Sequence, residues 1–190
     1  MSKHDVESED EEEEDTEVYF VDSEVFFYCD VTTETVKKLH RILLQIYKKY
    51  KTRKDAEITV HLMTEGGCLF SGFAMHDILR DFCTKISIVV IVEGICASAG
   101  SLILLGTDKR RIRKHGMVLL HDISTSFGGK YEDFKAEMKT LDKLTRNLVN
   151  LYHSRTTMTK EYISKLLKGE KWIGSRKCAK LGLASVIVYP

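Results

Sequence analysis

The apolar positions change period several times along the chain, and each change predicts an element. Val18–Tyr28 is dense in Val, Phe and Tyr and predicts one or two strands. Val36, Leu39, Leu43, Ile46 and Tyr47 then recur at helical spacing. They predict a helix capped by Thr32 or Thr33 and running to about Tyr50, followed by a polar loop over Lys48–Lys54. Ile58, Val60 and Leu62 alternate as a short strand does. Met75, Ile78, Leu79 and Phe82 return to spacings of three and four and predict a helix over about 71–82. The β-branched run Ile86–Val92 predicts a buried strand, and the non-alternating Ser101–Leu105 continues as a helix. Ile112 and Met117–Leu120 suggest further strands. Phe134, Met138, Leu141, Leu148 and Leu151 mark a long amphipathic helix over roughly 130–154. Thr159 caps a shorter helix through Leu167, Lys177–Leu181 forms a helical turn or two, and Val186–Tyr189 closes with a strand.

Strands alternating with helices argue for a layered α/β fold with mostly parallel strands. In such folds sites gather in the loops after strands, and the glycines of this chain concentrate there. The single proline, Pro190, marks no internal boundary, and no repeat is visible. One folded domain, residues 18–190, is therefore expected after a short leading segment.

Composition changes this picture at one place. The chain of 190 residues has a net charge of +1, but residues 1–17 hold ten carboxylates and one lysine, so the remainder carries +10. Self-repulsion and the lack of apolar residues predict a disordered acidic tail over 1–17, either an interaction segment or a solubilising terminus. The excess Lys and Arg are scattered, with one dense run at Lys109–Lys114, which argues against nucleic acid as a partner. The five cysteines include no CxxC pair, which points to free thiols and a reducing, cytoplasmic setting. There is no secretory leader pattern, and the longest apolar run is too short to span a bilayer, so no membrane is expected. Seven histidines occur without HExxH or a Cys/His cluster, so neither a metal nor any other cofactor is expected.

The candidate chemistry lies in small-residue segments. In Gly94-Ile95-Cys96-Ala97-Ser98-Ala99-Gly100, a hydroxyl stands between two alanines at a strand-to-helix junction. Small neighbours leave room for a substrate, and the following amides of Ala99 and Gly100 suit a developing oxyanion. Ser98 is a nucleophile if a histidine reaches it, and otherwise a helix cap. Gly66-Gly67, after a strand, allows close backbone approach and a further N–H donor. His121 ends the strand Met117–Leu120 and is the default general base, with His115 as the alternative. His40, His61, His76 and His153 read as structural or exposed. Asp122, Asp133 and Glu170 are all open as the carboxylate that orients the imidazole. Cys96 is a rival nucleophile but reads as core packing.

Taken together, these segments resemble the ClpP family of self-compartmentalised serine proteases, from about Val25 to Val188. Thr64-Glu65-Gly66-Gly67 resembles the family's Ser-Pro-Gly-Gly loop. Ala97-Ser98-Ala99-Gly100 resembles its Ala-Ser-Met-Gly nucleophile segment. Met117–Asp122 resembles the stretch ending in Met-Ile-His-Gln. Lys171–Ser175 with Ala179–Ala184 resembles its C-terminal stretch. The resemblance implies a ClpP/crotonase-like layered fold with a protruding handle helix around Phe134–Leu151. It implies Ser98 as nucleophile, His121 as base, Glu170 in the place of the triad aspartate, and the Gly67 and Ala99 amides as oxyanion hole. It also implies peptide-bond hydrolysis in unfolded polypeptides, inside heptameric rings stacked in pairs as a tetradecamer and fed by an ATP-dependent AAA+ unfoldase.

Several positions depart from the family pattern. Glu170 replaces aspartate, Glu65 replaces the loop proline, Asp122 and Ile123 replace Gln-Pro after the histidine, and Ser185 stands where aspartate is usual. The acidic Met1–Glu17 segment is unlike the family's hydrophobic axial loops, which implies weaker docking to the usual unfoldase. These departures mark a divergent member and leave two other readings: a noncatalytic structural subunit, or a crotonase-like enzyme acting on acyl-CoA.

Overall fold

The computed structural model describes residues 18–189, so the acidic segment 1–17 and its expected disorder lie outside the described residues. In chain order the elements are β1 (Val18–Val21), β2 (Glu24–Phe27), α1 (Thr33–Tyr50), β3 (Glu57–Thr64), α2 (Leu69–Cys83), β4 (Ser87–Ala97) and α3 (Gly100–Leu105). There follow β5 (Lys109–Arg113), β6 (Met117–Leu120), α4 (Tyr131–Arg155), α5 (Lys160–Gly169), β7 (Lys171–Gly174), α6 (Ser175–Lys180) and β8 (Val186–Val188). The sheet runs β1-β2-β3-β4-β5-β8, with β6 and β7 branching from β4. From β2 to β8 this path is parallel, and the hairpin β1–β2 adds an antiparallel edge.

Local chemistry accounts for most of these elements. Thr32 caps α1 by accepting from the Thr35 amide at 3.2 Å, while Thr35 Oγ1 accepts from the Thr32 amide at 2.9 Å. Thr159 caps α5 in the same way, accepting from the Tyr162 amide at 3.2 Å. In β3, Ile58, Val60 and Leu62 are fully buried while the intervening Thr59 and His61 are only half-buried. Such a period-two pattern puts one row of side chains in the core. There they join Phe27, Leu39, Leu43, Ile46, Met75 and Leu79. Each fully buried aliphatic side chain contributes about 1.5–3 kcal/mol relative to exposure.

β4 is the strand that builds the site. Leu62 of β3 faces Val92, yet Thr64 faces Cys96, so β4 gains residues over its neighbour at Glu93-Gly94. Before this irregularity β4 pairs with β5, and after it Ile95–Ala97 pairs with β6. The sheet therefore splits at Gly94 and sends the end of β4 alongside the end of β6. The sequence pattern ended this strand at Val92, because Gly94, Ala97 and Ser98 carry no β-branched signal. β7 was likewise unexpected. It is only four residues long and leaves Trp172 48% exposed. Its strand character comes from antiparallel pairing with β6 rather than from its own pattern.

The dense basic run is β5, and much of its charge is engaged within the domain. Lys109 pairs with Glu57 at 2.8 Å, Arg110 donates to the Gly182 carbonyl at 3.0 Å, and Arg113 pairs with Glu93 at 2.7 Å. Glu93 also meets His61 Nδ1 at 2.5 Å. The other ring nitrogen of His61 lies 2.6 Å from Glu24, and the ring stacks on Phe26. Burial pushes the Glu93 carboxyl up, but the hydrogen bonds from Arg113 and His61 outweigh it and hold the group below the usual value of 4.5. A depressed carboxyl stabilises the fold in full above the ordinary value and loses that contribution as the pH falls toward the folded one. Glu93→Gln is therefore expected to lower stability near neutral pH, with a gap to wild type that closes below about pH 4.5. Thermal unfolding across pH measures this, and a gap independent of pH would contradict it.

α4 is seated only by its C-terminal part. Leu148 and Tyr152 are its buried residues, while Tyr131 and Met138 near its start are 72% and 65% exposed. Its bounds match the expected long helix, and its first turns stand away from the core as a handle would.

Candidate active site

The pairing of β4 with β6 brings Ser98 and His121 to one end of the sheet. Ala97 is opposite Leu119, and the Ser98 amide donates to the Leu119 carbonyl at 3.0 Å. Ser98 then leaves the strand with φ +52°, a left-handed conformation that costs a non-glycine residue on the order of 1 kcal/mol or more. This sharp turn throws the side chain off the sheet end just before α3. His121 follows β6 directly and is half-buried.

The loop Gly66-Gly67 lies against this turn. A Cβ on Gly66, whose φ is +107°, would sit 2.6 Å from Ser98 Cβ and 2.8 Å from the Ala97 carbonyl oxygen. A Cβ on Gly67, at φ +138°, would sit 2.5 Å from the Val31 carbonyl oxygen. Both contacts are impossibly short, so glycine at 66 lets the loop reach the serine turn and glycine at 67 lets it pack on the Val31 backbone.

Two amides are left over at this contact. The Gly66 carbonyl accepts from the Val31 amide at 2.7 Å, and the Ser98 carbonyl accepts from the Ser101 amide at 3.0 Å. In a trans peptide the carbonyl and the next N–H point in opposite directions. Anchoring both carbonyls inward therefore turns the N–H groups of Gly67 and Ala99 outward. Among the described residues neither amide has a hydrogen-bond acceptor. Gly67, Ser98, Ala99 and His121 line one cavity of about 230 Å³, closed on other sides by Leu69, Leu102, Ile123, Leu148 and Tyr152. A hydroxyl, an imidazole and two amides thus line a common space with an apolar wall. That arrangement can stabilise a tetrahedral oxyanion.

The carboxylates separate clearly. Asp122 is exposed and accepts from the Ile123 amide at 2.8 Å. Asp133 accepts from the Lys130 amide at 2.8 Å and so caps α4. Glu170 lies at the turn from α5 into β7, with φ +43°, rather than in a loop between helices. The β6–β7 ladder pairs Leu119 with Trp172 and Leu120 with Lys171. The ladder ends there: Glu170, exposed and in its left-handed turn, lies one position before Lys171, just as His121 lies one position after Leu120. Glu170 is not among the residues that line the cavity shared by Ser98 and His121. Among the described residues no hydrogen bond joins Ser98 to His121 or His121 to Glu170. Such contacts are often long before substrate binds and tighten in the complex.

The rival groups fall away from the cavity. Cys96 is fully buried, and burial pushes its thiol far above the ordinary range, which makes it a core residue. His115 is exposed in the turn between β5 and β6 and lines a different hollow, with Lys114, Arg176 and Tyr189. Sequence patterning overlooked Tyr152, which follows Leu148 by one helical turn and closes the cavity floor. It also overlooked Cys68, an exposed thiol at the start of α2 that lines the same cavity. The Ser71 amide and hydroxyl hold that thiol below its usual value. Among the described residues no group of three or more His, Cys, Asp or Glu is placed to hold a metal, and no helix is long and apolar enough to cross a membrane.

A family model described as Clp protease matches residues 8–190. The chain belongs to the Clp protease family. Its similarity to individual members of this Clp protease family is low in identity but broad in extent. An ATP-dependent Clp protease proteolytic subunit of Deinococcus radiodurans is 24% identical over 149 residues, covering 77% of this chain and 72% of that protein. Proteolytic subunit 3 of Rhizobium meliloti is 26% identical over 191 residues, covering 95% of each. Among solved structures, a ClpP1 mutant from Listeria monocytogenes superposes with a TM-score of 0.77 at 20% identity, over 88% of this chain and 92% of that one. The last comparison shows the layered α/β ClpP fold.

Proposed function

We propose that this member of the Clp protease family is a serine endopeptidase acting on unfolded polypeptides within an oligomeric chamber, with Ser98, His121 and Glu170 as its triad. The observation that carries this reading is the cavity where Ser98 and His121 meet the two unpaired amides of Gly67 and Ala99. His121 takes the proton of Ser98 Oγ as that oxygen attacks the scissile carbonyl carbon. The Gly67 and Ala99 amides hold the resulting oxyanion. His121 then gives its proton to the leaving amine, the C–N bond breaks, and an acyl-enzyme remains on Ser98. Water, deprotonated by the same imidazole, adds to the ester carbonyl; the C–O bond to Ser98 then breaks, the imidazolium returns its proton to Ser98 Oγ, and the acid leaves. Glu170, which adjoins the same end of the β6–β7 ladder as His121, orients the imidazole.

Family membership supports an oligomeric assembly. Heptameric rings stacked in pairs through α4, and delivery of substrate by an AAA+ unfoldase, complete the proposal. The test is hydrolysis of a fluorogenic unstructured peptide by the purified oligomer. Wild type is expected to cleave it, and His121→Ala to lose roughly 10³-fold or more in kcat. An intact oligomer that leaves peptides untouched would favour the noncatalytic scaffold instead, and turnover of an acyl-CoA thioester without need of Ser98 the crotonase-like enzyme.

A further inference from the structure

Behind the nucleophile lie two buried hydroxyls that the proposed mechanism does not use. Ser101 is fully buried and Tyr152 is 2% exposed. Ser101 Oγ donates to the Ser98 carbonyl at 2.5 Å, and the same oxygen lies 2.5 Å from the Tyr152 hydroxyl. A serine hydroxyl has one proton to give. Because that proton goes to Ser98, Tyr152 must be the donor in the second bond. Burial pushes the Tyr152 phenol well above its usual value, which keeps this donor protonated.

We propose that Ser101 and Tyr152 are positioning residues, a hydroxyl relay that locks the Ser98–Ala99 peptide plane and so aims the Ala99 N–H at the reacting oxygen. This inference rests on the serine peptidase reading. Ser98 holds a strained left-handed turn, with φ +52°. Such a conformation persists only where its surroundings over-determine it. Rotation of the adjoining peptide would bring the Ser98 carbonyl to the cavity and bury the Ala99 N–H. A carbonyl oxygen facing a developing oxyanion is repulsive, so the rotated state cannot support the reaction. Two donors oppose that rotation: the Ser101 amide at 3.0 Å and the Ser101 hydroxyl. Tyr152, from α4, fixes the hydroxyl's rotamer and proton direction.

Removal of an oxyanion donor outright costs about 10²–10³-fold in kcat. The Ser101 amide persists in any side-chain variant, so loosening the plane costs less, about 10-fold. Ser101→Ala, Tyr152→Phe and the double variant are compared with wild type as intact oligomers, with kcat and KM for a fluorogenic peptide and the thermal midpoint of each. Tyr152→Phe keeps the ring that closes the cavity, and thus remains informative if Ser101→Ala folds poorly. Each single variant should lose about 10-fold in kcat with KM within about twofold, and the double variant should be no worse than the worse single one. Unchanged kcat in Tyr152→Phe, a loss confined to KM or to the thermal midpoint, or losses that multiply in the double variant would each overturn the relay while leaving an active wild type in place. A wild-type oligomer without activity would overturn the peptidase reading itself, and the relay with it.

Discussion

Ser98→Ala is expected to abolish peptide hydrolysis, with a fall in kcat of roughly 10⁴–10⁶-fold and no change of assembly. The size follows from the chemistry. Without the Oγ there is no acyl-enzyme, and any residual rate must come from water attacking a carbonyl polarised by two amides. Substrate affinity should survive, because Leu102, Leu148 and Ile123 still line the cavity. Alanine inherits the left-handed turn but gains no new contact, so the thermal midpoint should move by only a few degrees. Hydrolysis that persists within tenfold of wild type would assign the reaction to another group.

Gly66→Ala is expected to be nearly as damaging and for a different reason. The added methyl would lie 2.6 Å from Ser98 Cβ, 2.8 Å from the Ala97 carbonyl and 3.2 Å from the Ala99 amide nitrogen, all of them parts of the nucleophile turn. It would also force a φ of +107° on a residue with a side chain. The loop must therefore withdraw from Ser98. That movement separates the Gly67 and Ala99 donors, and loss of one such donor costs roughly 10²–10³-fold in kcat. Stability should fall as well, by about 1–3 kcal/mol, the usual range for overpacking a tight contact. Peptide cleavage measured together with thermal unfolding separates the two effects. A variant with normal kcat would show that the glycine loop does not shape the oxyanion pocket.

Much of this site could be read from residue order, and the reasons are local. Ser98 and His121 each follow the end of a strand, and their neighbours Ala97, Ala99 and the Gly66-Gly67 pair are small enough to leave a space open beside the serine. Thr32 and Thr159 announced their helices because a cap acts within three residues of itself. Features that depend on distant pairing were hidden. β7 is a strand only because β6 lies beside it, and the placing of Glu170 and His121 at the same end of that ladder follows from the pairing alone. Tyr152 was not among the apolar positions that marked α4, and its hydroxyl meets Ser101 across fifty intervening residues. The basic run at 109–114 stood out only as the densest cluster of otherwise scattered charge. Its strand instead sets several of those charges against Glu57, Glu93 and the Gly182 carbonyl, partners separated from it in sequence but adjacent in space.

The most direct measurement is a crystal structure of the oligomer after reaction with a fluorophosphonate. A single bond from phosphorus to Ser98 Oγ is expected, with the phosphoryl oxygen about 3 Å from the amide nitrogens of both Gly67 and Ala99. Phosphorus on any other side chain, or a phosphoryl oxygen turned to solvent with those two amides empty, would contradict it.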